Sequence, residues 1–129
     1  MLATSLWVGL GGALGSMGRY WTAVLAARLL GEAFPWGTLV INILGSFVIG
    51  LFATLTVPGG PLPASVGARA FVMAGICGGY TTFSAFSLQT WDLMRAGEWG
   101  SAGLNAVGSV VLCLAAVAGG CGVALRVEG

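Results

Sequence analysis

"CGGYTTFSAFS", residues 77–87, stands in the middle of a long apolar stretch. Two glycines, two threonines, two serines and a pair of phenylalanines three apart make a poor plain hydrophobic helix. Glycine inside a helix costs about 1 kcal/mol relative to alanine. Unpaired backbone at membrane depth survives only where protein, water or an ion meets it. Two readings stay open from these residues alone. One is a packing kink. The other is a broken helix whose freed carbonyls and half-helix ends build an ion site.

The surrounding composition places the stretch in a membrane. The chain has 129 residues, 57% hydrophobic and 7% charged, with mean hydropathy +0.97. A soluble domain carries about 25% charged residues, so this chain cannot cover itself with polar surface. Several apolar runs reach the ~20 residues that cross hydrocarbon as a helix. The alternation of a transmembrane barrel is not seen. An all-α integral membrane protein follows. Breaks at 31–36, 58–63 and 95–100 divide it into four spans, expected at about 5–30, 37–57, 66–95 and 101–125 within one domain, 1–129. Trp7, Trp36, Trp91 and Trp99 fall near the proposed ends, where interfacial aromatics belong. The N-terminus lacks a basic region and Arg19 interrupts its apolar run, so it reads as a retained span.

Absences narrow the chemistry. There is no His and no Lys, which excludes histidine metal sites, histidine bases and lysine Schiff bases. Cys77, Cys113 and Cys121 lie in apolar segments without zinc-ligand spacing and read as small buried hydrophobes. A net charge of +1 makes no case for nucleic acid.

Four crossings put both termini on one side, with Arg69 and Arg126; Arg28 and Arg95 lie on the other. The loop arginines tie, leaving the positive-inside rule nothing to act on. Insertion in both orientations, and antiparallel self-pairing, become possible. Gly11/Gly15, Ser46/Gly50 and Gly75/Gly79 are small-xxx-small pairs that let helices pack closely.

Polar residues form stripes. Thr38, Asn42 and Ser46 follow one another every four residues on the second span, as do Asn105, Ser109 and Cys113 on the fourth. Ser84 and Ser87 share a face after the glycines, beside the stripe of Phe83 and Phe86. Buried amides demand partners, so the asparagines serve as interhelical glue or line a narrow path. Such a path offers N–H and O–H donors and positive phenyl edges, with no carboxylate among them, which suits a small anion. Arg19, an intramembrane charge, is either functional or a structural tie at a helix end.

With "GGALGSMGRY", "PWGTLVINILGS" and "GICGGYTTFSAFS" in view, the whole chain resembles the Fluc (CrcB) family of fluoride channels. The resemblance implies four transmembrane helices with the third broken near its middle. It implies an antiparallel dual-topology homodimer with two pores, passive fluoride efflux across a microbial cell membrane, and no enzymatic activity. It also implies a structural Na+ at the dimer centre, held by backbone carbonyls at the breaks, and no organic cofactor. Carried over by position, those carbonyls fall on Gly78 and Thr81. The pore phenylalanines fall on Phe83 and Phe86, and the pore asparagine on Asn42. Ser84 begins a hydroxyl track, Ser109 is a pore-side serine, and Arg19 aligns with the arginine of the first helix. Departures from the family pattern are Tyr80 for an aliphatic residue, Ala85 for threonine, Gln89 for a frequent glutamate, and Asn105 at an often aromatic or aliphatic site. They bear on conduction rate and vestibule electrostatics more than on ion identity.

Two other classes compete. A small multidrug-type, proton-coupled exporter needs a membrane-embedded carboxylate, and the first span offers only Arg19. A non-transporting membrane subunit would use the polar stripes purely for assembly.

Overall fold

The computed structural model describes all 129 residues, and every regular element of the chain is helical. The helices are α1 (Leu2–Leu30), α2 (Trp36–Leu55), α3 (residues 66–80), α4 (Phe83–Arg95) and α5 (Trp99–Glu128). Gly31, Gly59 and Gly97 take positive φ in the connections, a backbone region that costs a side chain strain. Within α3 an α-helical turn (Val66–Arg69) leads into a π-helical stretch (Ala70–Cys77) and a last α turn (Gly78–Tyr80).

Three segments are long and apolar enough to cross a membrane: Trp36–Leu55, Val66–Arg95 and Trp99–Glu128. The first helix matches them in length, with 29 residues, but Arg19 and a run of Gly, Ser and Thr dilute its apolarity.

α1 packs chiefly on α3, and α2 on α5. Glycine sets both approaches. A methyl group at Gly79 would lie 2.5 Å from the Gly12 carbonyl, and one at Gly75 would lie 2.9 Å from Gly12's neighbour Gly11. At Gly50 it would meet the Val117 carbonyl at 2.5 Å. The glycines of the small-residue pairs therefore bring helices of the same chain together.

Gly78 and Gly79 do not break the helix, against the sequence reading. Gly78 is helical at φ −64° and ψ −36°. The chain leaves the helix three residues later, at Thr81 (φ −78°, ψ 158°) and Thr82 (φ −152°, ψ 115°). Gly79 serves close packing on α1, and the interruption is made by contacts to Thr82. α4 then starts afresh, its N-cap Thr82 accepting a hydrogen bond from the Ala85 N–H at 3.1 Å.

Arg69 closes the return from α2. Its guanidinium donates to Thr56 Oγ1 and reaches the Ala53 carbonyl at 3.5 Å, both at the C-terminal end of α2, where orphan carbonyls attract cations.

Candidate ion-conduction site

The break is built by an exchange of hydrogen bonds. In a continuous helix the Thr82 N–H would bond the Gly78 carbonyl, and the Ala85 N–H the Thr81 carbonyl. Instead Thr82 N donates to Asn42 Oδ1 at 2.8 Å, and Ala85 N donates to Thr82 Oγ1 at 3.1 Å. The carbonyls of Gly78 and Thr81 lose their helical donors. These are the two that the family resemblance singled out.

Asn42 makes a second bond, Nδ2 donating to the Thr82 carbonyl at 3.0 Å. The amide orientation is forced, since the reverse would set N–H against N–H. One Nδ2 hydrogen is left over. Thr81 folds its own hydroxyl back onto the Cys77 carbonyl at 2.8 Å, and the Thr81 N–H bonds the same carbonyl at 2.9 Å.

Around this junction lies a cavity of about 330 Å³. Asn42, Gly78, Thr81, Phe83, Phe86 and Ser109 all line it, and none of its lining residues is charged. Phe83 and Phe86 stand with ring centroids 5.4 Å apart and planes tilted by 45°. Phe83 is 78% exposed. Ser46 and Cys113 join the lining from α2 and α5.

The remaining expected residues lie elsewhere. Ser84 is exposed and outside the cavity, its hydroxyl 3.3 Å from Thr82 Oγ1. Arg19 is half-buried on α1, outside the cavity and without a hydrogen bond or ion pair within the chain. By helical spacing it shares a face with Gly15 and Thr22.

Asn105 is fully buried and serves as glue rather than lining. Its Nδ2 donates to Thr90 Oγ1 at 2.9 Å, Thr90 donates onward to the Phe86 carbonyl at 2.8 Å, and Ser109 Oγ lies 3.4 Å from Asn105 Oδ1. The chain of bonds ties α5 to α4 directly behind Phe86.

A second cavity, about 520 Å³, opens at the other end of the α2 stripe. It is lined by Thr38, Gln89, Glu32, Asp92 and Glu98 among others. Gln89 Oε1 is buried there without a partner.

Thr82 and Thr90 escaped the sequence reading, and Tyr80 is marked there only as a departure from the family pattern. Thr82 carries the usual mark of an N-cap, a threonine directly before an apolar helical run. Tyr80 and Thr90 carry no local mark of these contacts, because Thr22 and Asn105 lie on other helices.

The architecture is that of an all-helical, multi-pass membrane protein with an uncharged cavity at a helix break. Residues 6–121 match the family model described as CrcB-like protein, Camphor Resistance (CrcB), and the chain belongs to that family. It is similar to three curated proteins named fluoride-specific ion channel FluC. That of Opitutus terrae is 60% identical over 112 residues, 87% of this chain and 85% of the relative. That of Rhodospirillum rubrum is 57% identical over 114 residues, 88% of each chain. That of Gluconobacter oxydans is 56% identical over 116 residues, 89% of this chain and 80% of the relative.

Proposed function

We propose that this chain is a fluoride-selective channel, acting as an antiparallel pair of four-crossing protomers, that lowers cytoplasmic fluoride by passive efflux. The observation that carries this reading is the cavity at the break. It gathers Asn42, Phe83, Phe86 and Ser109 with no charged lining residue, in a chain of the CrcB family. A small anion entering it exchanges water for the spare Nδ2 hydrogen of Asn42, hydroxyl donors and phenyl edges. A carboxylate in that lining would repel fluoride, and none is present.

The membrane potential supplies the driving force, about 2.3 kcal/mol per charge per 100 mV, outward for an anion when the interior is negative. The α1 helix bears no carboxylate, which removes the group a proton-coupled cation exporter would use.

The fourth crossing is assigned to α1. At 1.5 Å per residue its length is roughly 43 Å, more than the ~30 Å hydrocarbon core, and it lies against α3. The tie of Arg28 and Arg95 against Arg69 and Arg126 supports insertion in both orientations. The exposed Phe83 ring supports a second copy covering the break.

The break also fits a structural Na+. A hard cation takes oxygen ligands, and Gly78 and Thr81 each offer a carbonyl released from its helical donor. Sodium bound there would supply a fixed positive charge at the break. The residues' own part is to keep those carbonyls unpaired, which Asn42 and Thr82 do.

The test is fluoride release from sealed liposomes that contain only this protein. Release well above protein-free vesicles, with chloride retained, is expected; no release overturns the reading. A tag on one terminus, accessible from both membrane sides, is the matching result for orientation.

A further inference from the structure

A continuous helix through residues 81 and 82 would restore the bonds that the break gives up, so contacts outside the helix must hold it open. Asn42 holds the far side, at Thr82. The near side is held at Tyr80, the last residue of α3. Its ring fills a slot between α1 and α2: a methyl group at Gly18 would lie 3.6 Å from one ring edge, and one at Gly45 would lie 3.5 Å from the other.

The Tyr80 hydroxyl lies 3.1 Å from Thr22 Oγ1. Thr22 spends its single proton on the Gly18 carbonyl at 2.8 Å. Tyr80 is therefore the donor. The phenol is pinned to α1 one turn beyond the glycine that faces its ring. Thr81 follows at once, its methyl packed on Gly45.

We infer that Tyr80 is a positioning residue for the ion site. Its bond to Thr22 fixes the rotation of the last turn of α3, and with it the direction of the Gly78 and Thr81 carbonyls. The inference rests on the proposed reading of those carbonyls as cation ligands. An aliphatic residue at position 80 fills the slot but makes no bond to α1, so the carbonyls of this chain are set by a contact such a residue lacks.

Tyr80→Phe keeps the ring and removes the donor, and Thr22→Val keeps the shape and removes the acceptor. The measurement is the sodium concentration giving half-maximal fluoride efflux per folded dimer in liposomes, with thermal stability read separately in saturating sodium. Either variant is expected to raise the sodium requirement roughly three- to tenfold, the range that one net hydrogen bond covers. The double variant is expected to add nothing further, and maximal efflux to stay at the parent value. Where one variant fails to assemble, the other reads the same bond from its second partner. A parent-like sodium requirement, even with lowered stability, overturns the inference and leaves fluoride conduction standing. So does a parent that conducts without any sodium requirement, or a double variant whose effect is the product of the singles. A parent that releases no fluoride overturns the functional reading itself.

Discussion

Asn42 pairs with both backbone polar groups of Thr82, accepting from its N–H at 2.8 Å and donating to its carbonyl at 3.0 Å. One side chain on α2 thus completes, forty residues away in sequence, the bonds that a strand neighbour would make. It explains how a helix can stop at membrane depth without orphaning Thr82, and why the Gly78 carbonyl becomes free for another ligand.

Asn42→Asp separates the two roles of this residue. The carboxylate still accepts from Thr82 N–H but opposes the Thr82 carbonyl, where the amide donated. Leaving that carbonyl unpaired costs about 1–3 kcal/mol, and the added negative charge repels an anion in the cavity. Fluoride efflux per folded protein is expected to fall by more than tenfold, with a measurable loss of thermal stability. Parent-level efflux would remove Asn42 from the path.

Phe83→Ile tests the ring edge. Phe83 is exposed on its own protomer, and a near-isosteric apolar exchange costs under about 1.5 kcal/mol even in a core. The folded yield is expected to hold while efflux falls steeply, because the isoleucine lacks a positive edge. Efflux that merely tracks the amount of folded protein would make Phe83 a packing residue.

Two glycines on α1 predict opposite stability effects. A methyl group at Gly15 would sit inside van der Waals contact of the Ile76 carbonyl and 2.8 Å from Tyr80 N. Backbone cannot yield as a side chain does, so Gly15→Ala is expected to destabilise by about 1–3 kcal/mol. At Gly9 a methyl group meets nothing within 4 Å, and Gly9→Ala is expected to stabilise α1 by roughly 0.5–1 kcal/mol. Thermal denaturation of the two variants side by side checks the sign.

The buried pair Asn105 and Thr90 invites a double-mutant cycle. Asn105→Leu strands Thr90 Oγ1 and Ser109 from their amide partner, with an expected cost of about 1–3 kcal/mol. Adding Thr90→Val removes the other polar partner and is expected to recover much of that loss. Strict additivity of the two substitutions would show that the 2.9 Å contact contributes nothing.

Sodium removal addresses the break directly. An ion bound only by the native assembly stabilises it by mass action, so exhaustive sodium depletion is expected to lower dimer stability and fluoride efflux together. Efflux itself is expected to carry no sodium. Unchanged assembly and efflux in sodium-free buffer would count against Gly78 and Thr81 as ligands.

The sequence alone determined that the chain is helical and lives in a membrane. Those properties are local sums: hydropathy over about twenty residues decides insertion, and five basic and four acidic residues in the whole chain leave little else to read. It also marked Asn42, Phe83, Phe86 and Ser109 through their stripes, because helical periodicity puts i and i+4 on one face. Where the helix breaks was decided only by the tertiary structure. Gly78 and Gly79 carry the local signal for a break, yet both stay helical, and Gly79 packs directly against Gly12 of α1. Thr81 and Thr82 leave the helix because Asn42, on a different helix, offers Thr82 two bonds in exchange. The same holds for Tyr80 against Thr22 and for Asn105 against Thr90. Each is a pairing between helices, and no window of neighbouring residues contains both halves of it.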